Sequence, residues 1–228
     1  MKHKKQFMVL VGMIISICFI LTGCNTNPRI IASGSPQIHI TGAQTFIFSS
    51  ATSDEFEVFD GNAVVEISIG NNQYHPIGKI ENGILSLELL ETLDENVLVT
   101  GPIFFSETNP PGIRWINVMS FRVVEGRRII GYMQYSYDIW GGNTAIEQSL
   151  NQMYFVYFSD NCIVEGQSQG EWNGIISNRA VEISGRKGWN MIFCYGELNE
   201  AGNTFHRTFT SNNSMAPEGM RWSIRPGN

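Results

Sequence analysis

A chain of 228 residues is long enough for one large core or two small ones. Its formal charge is −6, with 15 Lys and Arg against 21 Asp and Glu. Such a surface repels phosphate backbones, which excludes nucleic acid as an expected partner.

The N-terminus is basic at Lys2, His3, Lys4 and Lys5. An apolar run from Phe7 to Leu21 follows, broken only by Gly12 and Ser16. A charged start before a short apolar stretch is what a secretory signal requires, and a spanning helix needs about 20 apolar residues. The next residues, Leu21-Thr22-Gly23-Cys24, resemble a lipobox, the cleavage and lipidation signal of bacterial lipoproteins. An uncleaved membrane helix with an incidental Cys24 is the competing reading. The resemblance implies removal of residues 1–23, a diacylglycerol on the Cys24 thiol and an acyl chain of the palmitate type on its amine. Each buried CH₂ contributes about 0.8 kcal/mol, so two or more chains anchor stably. The membrane is therefore an expected partner through the Cys24 lipid, and the expected address is the exterior of the cell envelope. Asn25, where Asp would favour inner-membrane retention, is compatible with the outer membrane. Loss of the signal leaves 12 basic against 21 acidic residues, a net −9. Residues 24–36, rich in Asn, Thr, Pro, Ser and Gly, read as a short tether.

From residue 37 the pattern has period two. Asp54, Glu55, Glu57 and Asp60 offer oxygen ligands for Ca²⁺, but their spacing does not match an EF-hand loop. The interleaved Phe56, Val58 and Phe59 favour an exposed strand whose charges deter pairing, and no metal site is expected. In 63–70, Val65, Ile67 and Ile69 oppose Glu66 and Ser68; in 84–90, Leu85, Leu87 and Leu89 oppose Ser86 and Glu88. Turn signals recur at Asp60-Gly61-Asn62, Gly70-Asn71-Asn72, Glu81-Asn82-Gly83 and Glu125-Gly126, then at Gly141-Gly142-Asn143 and Ala201-Gly202-Asn203. Ser106 to Gly112 contains Pro110 and Pro111, which cannot donate ladder hydrogen bonds. Two β modules, 37–107 and 113–226, are expected on either side, with one continuous sandwich as the alternative.

Trp115 sits in a strand context. Trp140, followed by Gly141-Gly142-Asn143, and Trp172, followed by Asn173-Gly174, sit in loop-like contexts. An exposed ring beside amides suits a glycan or protein ligand; folding back onto a module end is the plainer reading. Asn143–Gln152 has roughly helical spacing and equally suits a long hairpin loop. Met153–Phe158 and Met191–Tyr195 are apolar on both faces, as central covered strands are. Val181 and Ile183 oppose Glu182 and Ser184, and Trp222 and Ile224 oppose Arg221, Ser223 and Arg225. The fold class is all-β, antiparallel, in two sandwich-like modules.

Cys18 leaves with the signal and Cys24 takes lipid, so Cys162 and Cys194 are a candidate disulfide in an oxidising compartment. Closing that loop would stabilise by roughly 3–4 kcal/mol. Two buried free thiols are the alternative. His39, His75 and His206 lie far apart without metal-ligand spacing.

Tyr157 to Gly166, Lys187-Gly188-Trp189-Asn190 and Pro217 to Trp222 together resemble a recurring type of bacterial envelope lipoprotein of unknown function. The half from Ile38-His39-Ile40-Thr41-Gly42 to Leu98-Val99-Thr100-Gly101 is similar to its companion β module. The resemblance implies a β fold and an envelope address, and transfers no catalytic residue. The expectation is a non-catalytic binding or interaction module without a cofactor, with Trp140 and Trp172 as candidate contacts. Its alternatives are an envelope hydrolase of glycans or peptides, and a structural protein that pairs through an edge strand.

Overall fold

The computed structural model describes residues 29–31, 38–49, 55–69, 73–136, 151–172, 174–198, 204–211 and 220–227. The strands of the first part are β1 (Arg29–Ile31), β2 (His39–Phe48), β3 (Phe56–Val58), β4 (Ala63–Ser68), β5 (Tyr74–Glu81) and β6 (Ile84–Glu88). A 3₁₀ turn at Glu95–Val97 precedes β7 (Thr108–Asn109), β8 (Trp115–Val118), β9 (Phe121–Glu125) and β10 (Arg128–Ser136). The last part holds β11 (Gln152–Phe158), β12 (Cys162–Trp172), β13 (Ile175–Gly185), β14 (Gly188–Leu198), β15 (Thr204–Thr210) and β16 (Arg221–Arg225). The chain is all-β, and among the described residues there is no α-helix.

The period-two pattern reads out as burial. Val65, Ile67, Leu85, Leu87 and Leu89 are buried while Val64, Ser68, Ile84 and Glu88 are exposed. Asn82 and Gly83 have φ of 50° and 77°, the positive values a tight β5–β6 hairpin demands. At Gly83 a Cβ would also meet the Phe59 carbonyl, so glycine is required there by space as well as by φ.

The expected pair of sandwiches is not what these strands build. Strands β2, β6, β5, β4, β9 and β10 pair in that order, and β16 pairs with both β10 and β2. That closes a seven-stranded barrel, filled by Ile40, Val65, Ile67, Leu85, Phe121, Met133 and Trp222. The physical reason is that alternation reports which face is buried but not which strands are neighbours. Closure depends on β16, from the far end of the chain, lying parallel to β2. Strands from both sides of Ser106–Gly112 therefore share the barrel wall. Ser223, expected on a wet face, is buried within this seam.

A second sheet runs β8-β11-β14-β15-β13-β12-β7 and meets the barrel where Ser136 of β10 pairs with Gln152 of β11. Strands β11 and β14 form the shared wall. Met153, Phe155, Tyr157, Trp189, Met191 and Phe193 point into the barrel core, while Tyr154, Val156, Phe158, Ile192 and Cys194 point into a second core. This explains why both segments are apolar on both faces. Trp222 is a core residue, as its strand context suggests; Trp189, from the Lys187–Asn190 segment, is buried as well, and Trp115 packs half-buried against the second core.

One connection departs from sequence order. Only Arg186 and Lys187 separate β13 from β14, yet β15 lies between them, parallel to β13 and antiparallel to β14. The two strands splay, and β15 ends at Thr210 opposite Glu182 and Phe193. Ser211 plugs the fork: its Oγ accepts from the Ser184 N–H at 3.0 Å. Asn190 holds the turn, accepting from the Arg186 N–H at 2.9 Å and donating to its carbonyl at 2.7 Å.

Candidate functional site

Strands β12, β13 and β15 extend past the barrel with one face of their sheet open, while Val164, Val181, Ile183 and Phe209 on the other face are buried in the second core. On the outward face the register sets side chains in rows. Glu165, Glu182 and Thr210 form one; Gln167, Ala180 and Thr208 the next; Gln169, Asn178 and His206 the third. On β14 these rows continue to Phe193, Tyr195 and Glu197, so the groove abuts the barrel wall. A depression of about 660 Å³ lies along the first two rows, and an adjoining one of about 500 Å³ is lined by the second and third rows together with Ser168, Arg179 and Arg207. The Gln169 amide donates to Asn178 Oδ1 at 2.9 Å, which fixes the orientation of both side chains. Tyr195, packed against the barrel core, has a buried hydroxyl with no hydrogen-bond partner among the described residues, and burial pushes its pKa up. Glu165 and Glu182 stand directly opposite each other, an arrangement that costs stability when both are ionised.

The other face is partly roofed by the loop before β7. Ile103 and Ser106 exchange backbone hydrogen bonds of 2.9 and 3.0 Å around Phe104 and Phe105, whose φ values are 50° and 73°. Both central residues at positive φ is the backbone that Asn-Gly normally fills. Holding a phenylalanine there costs of order 1–3 kcal/mol. For Phe104 the cost is offset: its ring stacks on Phe209 at 4.3 Å and meets Tyr154 edge-on at 5.1 Å. Phe105 is 65 % exposed, and its ring contact is the Arg179 guanidinium at 4.0 Å. Arg179 lies in register with Arg207 on β15, and burial followed by that neighbouring charge lowers its pKa. Phe-Phe gives no turn signal in a sequence, so nothing there marks this corner.

Cys162 and Cys194 are both buried free thiols, and the disulfide considered from the sequence is not formed. Cys162 packs at the Phe158 and Gly185 end of the second core, whereas Cys194 pairs with Gln152 at the far end of β11. Gly188, opposite Phe158, is six residues from Cys194 along β14, roughly 20 Å at strand rise, far beyond disulfide reach. Burial pushes the Cys194 thiol up to about 12 and, with Asp160 nearby, the Cys162 thiol to about 11. Neither has the low pKa of a nucleophilic cysteine.

Cys24 and Trp140 lie outside the described residues, as does most of Asn143–Gln152, whose last residue begins β11. The backbone of Trp172 ends β12, paired with Ile175, and its side chain is outside the described set. The histidines are not brought together: His39 is on β2 beside Glu88, His75 on β5 and His206 on β15. Of the acidic cluster, Glu55, Glu57 and Asp60 are exposed, and among the described residues no three potential ligands converge for a metal. No protein-family model, curated protein or solved structure matches the chain.

Proposed function

We propose that the chain is a non-catalytic recognition protein, lipid-anchored through Cys24 outside the cell, whose outward groove takes a hydroxyl-rich ligand of the glycan class. The observation that carries this reading is the set of polar rows across β12, β13 and β15 over an open groove. Planar amides and carboxylates at fixed spacing suit alternating sugar hydroxyls. The Leu21–Cys24 box supports the anchor and the envelope address, and Asn25 is compatible with the outer membrane.

A glycan array probed with the form beginning at Asn25 tests the groove. Gln169→Ala and Asn178→Ala should each weaken binding about tenfold, the loss of one or two hydrogen bonds, with the far-UV spectrum unchanged. Trp140→Ala and Trp172→Ala are arms of the same experiment. A wild-type protein that holds no glycan ends the reading. For the anchor, incorporation of labelled palmitate should vanish in Cys24→Ala, and a wild type that incorporates none removes it.

Glu165 opposite Glu182 favours a second reading, a glycan hydrolase, because retaining glycosidases use two carboxylates about 5–5.5 Å apart. Both glutamates are exposed on the same open face, however, whereas two such carboxylates divide into acid and nucleophile only where their environments differ. Release of reducing ends that disappears in Glu165→Gln would establish the hydrolase.

A further inference from the structure

We propose that the opposite face of the same strands is an oxyanion site, built from Arg179, Arg207 and Phe105, for a carboxylate or phosphate carried on an aromatic body. Arg179 and Arg207 stand side by side in parallel register, so their side chains share one face about 4.8 Å apart at the backbone. Like charges directly opposite destabilise a sheet, and this chain is acidic, so the pair is not a general feature of its surface. An anion between the two guanidinium groups turns that repulsion into two charge-assisted contacts.

The surroundings leave room for one. The row through the pair ends in Ser168 on β12 and Gly196 on β14, both small. A Cβ built on Gly170, two residues beyond Ser168 on the same face, would meet nothing within 4 Å. None of the ion pairs among the described residues involves Arg179, and its Nε–H is buried without a hydrogen-bond partner. Arg207 lies 4.8 Å from the Phe205 ring, and its charge acts on the Tyr154 hydroxyl, which accepts from the Gln152 amide. Phe105 adds the second element of recognition. Its ring is held out at positive φ beside Arg179, which suits a platform for a flat ligand whose acidic group reaches the arginines.

Titration with inorganic phosphate and with phenyl phosphate, at constant ionic strength, tests the site through the arginine Nε–H signals and the melting temperature. Both ligands should shift the Arg179 and Arg207 signals saturably and raise the melting temperature, phenyl phosphate at lower concentration. Arg179→Ala should weaken both ligands at least tenfold, as expected for a lost charge-assisted hydrogen bond. Arg207→Lys, which keeps the charge and the fold but not the fork, should weaken them similarly. Phe105→Ala should erase the preference for phenyl phosphate while inorganic phosphate still binds. No saturable shift in the wild type overturns the proposal, and so does binding that Arg179→Ala leaves unchanged. Glycan binding in the outward groove uses other residues, so failure here leaves that reading standing.

Discussion

Phe104 and Phe105 share a disfavoured backbone but not its compensation, and the difference is measurable. Phe104→Ala removes the contacts with Phe209 and Tyr154 and should cost about 2–4 kcal/mol, toward the lower part of the buried-phenylalanine range because the ring is only half-buried. Phe105→Asn should instead gain about 1 kcal/mol, because asparagine tolerates positive φ and little packing is lost. Urea denaturation of the two variants checks the opposite signs. A loss of stability in Phe105→Asn would mean that the exposed ring supports the fold. The buried thiols give a second residue-scale test. With its folded pKa near 12 against an ordinary thiol value of 9.0, Cys194 favours the fold below about pH 9, and that contribution is lost as pH rises toward 12. The full difference is on the order of 4 kcal/mol. Wild type should therefore lose stability more steeply than Cys194→Ala between pH 9 and 11 in urea titrations; parallel curves would show that the thiol titrates alike in both states.

At the scale of single strands, much of the fold was legible. Alternation identified the buried sides of β4, β6 and β13, and two-faced apolarity marked β11 and β14 as covered strands. The second observation has an energetic consequence. Phe155 faces the barrel core and Phe158 the second core, both fully buried on one strand. Phe155→Ala and Phe158→Ala should each cost about 3–5 kcal/mol, and amides of β4 and β13 should lose hydrogen-exchange protection together in either variant. Protection lost on one side alone would show that the wall does not couple the cores. The candidate site was less legible. Glu165-Gly166-Gln167-Ser168-Gln169 shows polar alternation, but its rows run on across β13 to β15, which is wedged between strands that are consecutive in sequence. Strand β12 is also an edge: among the described residues only β13 pairs with it beyond Val164. Glu165 and Glu171 are the charges that deter strand addition there. Glu165→Gln with Glu171→Gln should therefore associate in a concentration-dependent way in sedimentation. If it stays monomeric, the edge is guarded by something other than charge.

The molecule as a whole depends on one late strand. No local pattern in Arg221–Arg225 says that it will join β2 to β10, because the partners are 177 residues away in one case (Trp222 to Thr45) and almost ninety in the other. Its core-facing residues are nonetheless central. Trp222 is 1 % exposed and packs against Phe121, Tyr135 and Phe155, linking both sides of the barrel to the shared wall. Gly131 admits the strand, since a Cβ there would meet the Arg225 carbonyl. Gly131→Ala should thus loosen the β10–β16 seam by about 1–3 kcal/mol, the range for overpacking. Ending the chain after residue 219 should do far more. It removes Trp222 and Ile224 from the core and leaves β2 and β10 as unpaired edges, so the shortened protein should elute as aggregates. A soluble truncated monomer with native hydrogen-exchange protection in β4 and β9 would show that the barrel closes without β16. A soluble monomer that keeps protection only in β12, β13 and β15 would place the stability of that sheet in the second core rather than in the barrel.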